Sequence, residues 1–360
     1  MESYVTLEKD SAEFLSYLEG SFSKQYRALV LQTLNFNSTA ERVTFHIVPV
    51  EKISRPSSLL VWAQALKLRT FLYILFPLLV LLVKNIISQS ISDPLTLLFS
   101  TMGVIFVFAA SNLRNEYTDH MVGFDRLIRD SGSGVLQKGW LPAHQLKSIS
   151  YLFLFLGLLF AIPALLEVPK LWILVGASLI LGLSAQFQKN SSFKYQIGGE
   201  FSIFFLLGPL LTVGYQVSMG TRLDFDCLWF GIAWGWLVLF LVHIKNFAHL
   251  IELSQGHFEN TIVALGFDRA RRWIALWWLG FIVFFLIYHQ LYAGTFWGWY
   301  LGFAFLLISA RFILKLKMLK SPAGSELKSV YDAGYRLYLI VVGTWTLINI
   351  WYIFDWAKWL

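Results

Sequence analysis

Long apolar runs separated by short polar stretches dominate the chain from residue 62 onward. A helix needs about 20 mostly apolar residues to cross a bilayer. Nine such runs predict nine transmembrane helices, at approximately 68–87, 95–113, 149–166, 171–187, 201–217, 228–248, 273–292, 296–316 and 335–354. Residues 1–60 are polar and read as a separate segment, followed by a membrane domain over 61–360. Residues 4–18 predict a short helix. Residues 27–36 and 42–50 predict strands, because Val43, Phe45 and Ile47 alternate with Thr44 and His46. Asn37-Ser38-Thr39 supplies turn residues between them. An isolated hairpin is marginal in water, so this small α/β segment is expected to dock on the cytoplasmic face of the membrane domain. The expected fold class is all-α integral membrane, with that segment appended.

Composition reinforces the reading. Hydrophobic residues make up 57% and charged residues 14%, where a soluble domain carries roughly 25% charged residues. This excludes an ordinary soluble enzyme, a disordered chain and a disulfide scaffold. Cys227 stands alone, so no internal disulfide is possible. With the N-terminus inside, 25 of the 29 Lys and Arg residues fall on the cytoplasmic side, leaving Lys84, Lys170, Arg222 and Lys358 outside. The positive-inside rule therefore accounts for the net charge of +7, and no nucleic-acid partner is needed. Glu2, Glu8, Asp10, Glu13 and Glu19 crowd the start of the chain against Lys9, so no signal or transit peptide is expected. The expected location is multi-pass in a membrane, with a bacterial inner membrane as the simplest setting.

Polar residues at the ends of apolar spans are functional candidates. The densest group is Asn115-Glu116-Tyr117-Thr118-Asp119-His120-Met121-Val122-Gly123-Phe124-Asp125. On a continuing helix Glu116 and Asp119 share a face, and Gly123 can turn Asp125 back towards them. Three carboxylates and the neutral oxygen of Asn115 suit a hard cation such as Mg²⁺. A solvated helix end is the plainer alternative. Arg126, Arg129 and Lys138 follow in the same loop, and Lys194 lies in the next one. Positive-inside placement accounts for any one of these; together with the acids they look like a metal-diphosphate site.

The same residues resemble the first acidic motif of the UbiA superfamily of intramembrane prenyltransferases. With Gly123 and Asp125 the motif is most similar to the 1,4-dihydroxy-2-naphthoate prenyltransferases of menaquinone synthesis. Lys194-Tyr195, Gly199-Glu200 and Gly208-Pro209 resemble the family segment that opens span five, and Leu66-Lys67-Leu68-Arg69-Thr70 and Gly139-Trp140-Leu141-Pro142 fit more loosely. The resemblance covers about residues 62–355 and implies nine helices around a central cavity. It implies Mg²⁺ as cofactor, an isoprenoid diphosphate and an aromatic acceptor as partners within the lipid bilayer, and transfer of a prenyl group in quinone or related lipid synthesis. Asn115, Glu116, Asp119 and Asp125 would hold the metal, the three acids being catalytic; Lys194, Arg129 and Lys138 would meet the diphosphate.

Several positions depart from the family pattern. Glu116 stands for an aspartate, Ser133 for a basic residue, and Ala185-Gln186-Phe187-Gln188 for a Tyr- and Pro-bearing stretch. The largest departure closes span six, where two expected aspartates fall on His249 and Leu253. Lys245, His249 and Glu252 lie at i, i+4 and i+7, so a continuous helix would present them on one face. That arrangement suggests that Lys245 contacts the diphosphate, with His249 donating a hydrogen bond and Glu252 orienting Lys245. The alternatives are an isoprenoid diphosphate enzyme with another acceptor or a cyclisation, and an inactive descendant that binds an isoprenoid or quinone.

Overall fold

The computed structural model describes residues 3–36, 38, 40–88, 91, 93–128, 132–186, 193–220, 225–291, 297–322 and 325–356. The N-terminal segment comprises β1 (Ser3–Glu8), α1 (Phe14–Glu19), β2 (Tyr26–Leu34) and β3 (Arg42–Pro49). The strands form an antiparallel sheet in the order β1-β3-β2. The expected helix over 4–18 is therefore corrected: its first half is a strand. Val5 and Leu7 alternate with Tyr4 and Thr6, which suits a pleated strand pairing Val5 with Phe45. Phe14, Leu18, Val43 and Phe45 fill the small core beneath the sheet. Asn37 and Thr39 of the expected turn lie outside the described residues.

The rest is helical: α2 (Ser58–Ala65), α3 (Leu72–Ile87), α4 (Pro94–Val122), α5 (Phe124–Leu127), α6 (Ala143–Glu167), α7 (Leu171–Gln186), α8 (Glu200–Leu207), α9 (Pro209–Ser218), α10 (Phe225–Ala248), α11 (Leu250–Gln255), α12 (Thr261–Leu291), α13 (Trp297–Met318) and α14 (Ser325–Trp356). Among the described residues, six helical stretches are long and apolar enough to cross a membrane: Leu68–Ile87, Pro94–Val122, Ala143–Glu167, Glu200–Ser218, Phe225–Ala248 and Thr261–Gln290. Leu171–Ala185 is apolar but shorter. α13 and α14 lie where the eighth and ninth spans were expected.

Helix α10 is the hub, with Trp234, Leu237, Val238, Phe240, Ile244 and Phe247 at most 0% exposed. It packs against α8, α9, α12 and α14. Close approach depends on Gly208, where α8 and α9 meet: a Cβ there would lie 2.6 Å from the Gly231 carbonyl oxygen of α10. Pro209 then starts α9, where its missing N–H removes no helical bond. Outward faces carry large apolar side chains, such as Phe155, Ile173, Ile180 and Phe303. Those faces suit lipid, since every helical backbone bond is satisfied internally.

The N-terminal segment docks on the ends of α4 and α6. Tyr117 Oη donates to Glu19 Oε1 at 2.6 Å, Arg126 Nη1 donates to Glu41 Oε1 at 2.8 Å, and Trp140 Nε1 donates to the Ser54 carbonyl at 2.9 Å. His120 Nε2 lies 3.0 Å from the Leu18 carbonyl.

Candidate active site

A cavity of about 470 Å³ lies within the bundle, and its two parts differ in chemistry. Its polar head is assembled from four places in the chain. Helix α4 supplies Asn115 and Asp119, one turn apart, with Asn115 Nδ2 donating to Asp119 Oδ2 at 2.8 Å. A tight turn over Phe193–Tyr195 brings in Lys194, which donates to Asn115 Oδ1 and Asp119 Oδ1, and Tyr195, whose hydroxyl donates to Asp119 Oδ1. Lys67 comes from the turn before α3 and adopts φ 52°, which aims the chain from α2 into the first span. The end of α10 supplies Lys245 and Asn246, followed by His249.

Lys67 pairs with Glu116, whose carboxylate is 0% exposed and also accepts from Ser133 N at 3.0 Å and Ser133 Oγ at 2.6 Å. Burial pulls the Lys67 ammonium down, but Glu116 and Asp119 outweigh it and hold it above its ordinary value, so it stays charged. Lys245 is exposed, and the space it faces is the cavity. Three lysines thus ring the head against the carboxylates of Asp119 and Glu200. Glu200 is fixed by Thr261, whose hydroxyl donates to it at 2.6 Å and accepts from Gly198 N at 2.8 Å.

Below the head the lining turns apolar, with Val104, Val107, Leu174, Leu211 and Leu241. Asn115 and Ser100 both line the cavity; at 1.5 Å rise per residue they stand about 22 Å apart along α4. At the far end the Tyr215 and Thr101 hydroxyls are 2.9 Å apart. Nearby, Asn85 and Gln216 exchange amide hydrogen bonds at 2.8 and 3.1 Å between α3 and α9. A charged mouth on a long apolar shaft matches a ligand with an anionic head and a hydrocarbon tail.

Comparison with known proteins accounts for this shape. A sequence model of the UbiA prenyltransferase family matches residues 74–341. The chain belongs to the UbiA prenyltransferase family. No curated protein matches the sequence. Among solved structures, the chain is similar to a UbiA homologue from Archaeoglobus fulgidus bound to DMAPP and Mg²⁺, with a TM-score of 0.55, 14% identity, and coverage of 78% of this chain and 99% of that one. The same homologue bound to GPP and Mg²⁺ gives a TM-score of 0.53, 12% identity, and the same coverage of 78% and 99%. A digeranylgeranylglyceryl phosphate synthase gives a TM-score of 0.52, 15% identity, and coverage of 81% and 98%. The N-terminal sheet precedes the region that matches the family.

The structure brings together Asn115, Asp119, Lys194, Lys245 and His249 at the cavity head. Glu116 lies behind it, tied to Lys67 and Ser133. Asp125 is 2% exposed and accepts from Gln137 Nε2 at 2.7 Å, away from the cavity. Burial, reinforced by the Asp119 and Glu116 charges, pushes the Asp125 carboxyl up to about 8. Lys138 Nζ sits 4.5 Å from the Trp140 ring centroid and does not line the cavity. Arg129 lies outside the described residues. The expected shared face of Lys245, His249 and Glu252 is corrected, because α10 ends at Ala248 and α11 begins at Leu250. Leu253 becomes a core residue beside Ile128 and Phe258, while Glu252 does not line the cavity.

Among the described residues, no three acidic, histidine or cysteine side chains converge into a ready-made metal site. Mg²⁺ needs only one or two carboxylates when substrate phosphates and water complete its shell. Among the protein oxygens at the head, Asn115 Oδ1 and the Asp119 carboxylate, both met by Lys194, lie one turn apart on α4 and fit such an ion.

Sequence reasoning missed Lys67, Tyr195, Asn246 and Asn260 as lining residues. Lys67 belongs to the Leu66-Lys67-Leu68-Arg69-Thr70 stretch, but the positive-inside rule alone accounts for its charge. Tyr195 is adjacent to Lys194, and its proximity to Asp119 depends on the tight turn.

Proposed function

We propose that this chain transfers a prenyl group from an isoprenoid diphosphate to an aromatic acceptor in quinone or related lipid synthesis, within the dihydroxynaphthoate-type branch of the family. The observation that carries the reading is the cavity itself, in which Lys67, Lys194 and Lys245 surround the mouth of an apolar shaft. The family match and the fold shared with DMAPP- and GPP-bound homologues support it.

The chemistry divides between the two parts of the cavity. The shaft holds the isoprenoid tail and excludes water, which would trap a carbocation. Asn115 and Asp119 would hold one Mg²⁺, which supplies charge neutralisation to the diphosphate. Lys67, Lys194 and Lys245 act as point-charge partners for the phosphate oxygens. They stabilise the charge that grows as the C1–O bond breaks and its electron pair leaves with diphosphate. The ring carbon of the acceptor then bonds to C1 of the allylic cation, and the ring proton passes to the departing diphosphate. Glu116 supports this arrangement by fixing Lys67 rather than by holding metal. The lost aspartates of the second motif are offset by Lys245, with His249 beside it.

The membrane arrangement in this proposal has nine crossings, with α8 and α9 forming one and α13 and α14 the last two. The N-terminus, residues 1–60 as a distinct domain, and the cavity head face the cytoplasm, in a bacterial inner membrane. The test is mass analysis of products formed by purified membranes from prenyl diphosphates, Mg²⁺ and a panel of hydroxylated arenes. A product heavier than the acceptor by one prenyl group is the expected result. A cyclised hydrocarbon would replace the acceptor part of the reading, and no product with any acceptor would reject catalysis.

A further inference from the structure

Helix α2 is apolar on more than one face. Val61 and Ala65, one turn apart, are 0% exposed and lie in one core cluster with Leu113, Val135 and Leu141. Leu59 and Leu60 are instead 80% and 55% exposed. A helix that is apolar all round needs apolar surroundings on its outer face as well. The first membrane stretch begins at Leu68, three residues after α2 ends at Ala65. Three residues span at most about 11 Å, so α2 stays at the membrane boundary. Leu68 and Leu72, also exposed, continue the apolar surface onto the first span.

Three cations gather beside the segment that enters α2. Arg55 lies on that segment, Arg27 on β2, and Lys138 in the loop before α6. A Cβ at Gly139 would lie 3.0 Å from Ile53 Cδ1 and 3.6 Å from Arg27 Cβ, so these three stretches of chain are packed together. Trp140 Nε1 donates to the Ser54 carbonyl at 2.9 Å, and Lys138 Nζ lies 4.5 Å from the centre of the Trp140 ring. Burial, and then the neighbouring Arg55 charge, pull the Arg27 guanidinium below its ordinary value. Arg27 Nε is buried without a hydrogen-bond partner. Among the described residues none of the three cations is paired with a carboxylate, whereas Lys67, Arg126, Lys147 and Lys194 each are. Glu51 is the acid nearest to Arg55 in the sequence, and it is exposed.

A partner for this surface must bring negative charge to the cations and hydrocarbon to Leu59 and Leu60. Guanidinium groups match the geometry of phosphate oxygens, and an anion between two neighbouring arginines relieves their repulsion. A zwitterionic headgroup would bring its own ammonium against them. We propose that Arg27, Arg55 and Lys138, together with the outer face of α2, form a docking surface for one anionic phospholipid. Its phosphate accepts from the arginines, and its acyl chains lie on Leu59 and Leu60, as in interfacial helices that combine apolar burial with attraction to anionic lipid. The N-terminal segment, which precedes the region matched by the family, thereby acquires a role of its own at the membrane surface. None of these five residues lines the isoprenoid cavity, and lipid docking does not depend on prenyl transfer.

The test is native mass spectrometry of the full-length protein in detergent, equilibrated with equal amounts of phosphatidylglycerol and phosphatidylcholine. The expected result is one retained phosphatidylglycerol, preferred at least about tenfold, a factor that corresponds to about 1.4 kcal/mol. Arg55→Gln and Lys138→Gln change exposed side chains and should each lower that preference at least about threefold, equivalent to about 0.6 kcal/mol. Lys317→Gln removes an exposed cation at the end of α13 and should leave it unchanged. In a Cys227→Ser background, a bimane on Leu59→Cys should be quenched by lipids with brominated acyl chains. No preference for phosphatidylglycerol in the wild type, or an equal loss in Lys317→Gln and Arg55→Gln, would overturn the proposal, the latter by showing a general effect of surface charge. Displacement of the lipid by equimolar free glycerol 3-phosphate would show a phosphate site without lipid docking, and an unquenched bimane would show Leu59 away from the acyl chains; either would also overturn it.

Discussion

Lys67 and Glu116 form an ion pair in which the acid is 0% exposed and the lysine 17% exposed, joining the turn before the first span to the end of α4. The pair places a cation at the cavity head and closes off the carboxylate behind it. Removing one partner of such a pair leaves a buried charge uncompensated, at about 3–5 kcal/mol. Lys67→Met should therefore lower thermal stability in detergent sharply. The double substitution Lys67→Met with Glu116→Gln should recover much of that loss without restoring activity. Thermal unfolding of the three proteins checks this, and an additive double variant would contradict the pairing.

In the proposed site Lys245, which lines the cavity head, stands in for the second acidic motif. Lys245→Met keeps the aliphatic stem and removes the charge, so it should raise KM for the prenyl diphosphate about tenfold, equivalent to one charge-assisted hydrogen bond. Asp119→Asn should abolish most turnover at limiting Mg²⁺, since a neutral oxygen is a poorer ligand than a carboxylate. The wild-type Mg²⁺ dependence should fit one protein-held ion. Steady-state kinetics across Mg²⁺ concentrations check all three expectations.

The shaft should set the length of prenyl chain accepted. Gly214 lines the cavity on α9, and a Cβ there meets nothing within 4 Å. Gly214→Phe should fold normally, because it adds bulk to open space and improves helix propensity. It should shift preference towards short prenyl diphosphates by at least about tenfold in kcat/KM, as about 1.4 kcal/mol of excluded tail contact would do. Competition between dimethylallyl and farnesyl diphosphates measures the shift.

Topology can be checked without activity. Cys227 is 1% exposed, and Cys227→Ser clears the background. With Ser254→Cys added, an impermeant thiol reagent should label only from the cytoplasmic side. Labelling from the opposite face would contradict the orientation and the number of crossings.

Much of the membrane architecture was legible because apolar runs report their environment directly. α4, α6 and α10 cover the runs expected for them. That Asn115 and Asp119 would line a cavity was legible for a related reason: polar residues ending an apolar span seldom face lipid. The different surroundings of Glu116, Asp119 and Asp125 were not legible, because they depend on partners outside the motif, namely Lys67, Lys194 and Gln137. The break after Ala248 was also hidden. Nothing in Asn246 to Leu253 is a strong helix breaker, and the bend depends on Leu253 finding its place beside Ile128 and Phe258. In the N-terminal segment, β1 was hidden because four alternating residues before a short helix fit either period.

In the proposed reaction the lysine-ringed head of the cavity holds the diphosphate of an isoprenoid. This is tested most directly by equilibrium binding of geranyl thiodiphosphate, a poorly ionising analogue, to the purified protein and to its Lys194→Met and Lys245→Met variants. Binding to the wild type should be saturable and strengthened by Mg²⁺, and should weaken about tenfold in each variant. No saturable binding to the wild type, or equal affinity in all three proteins, would contradict it.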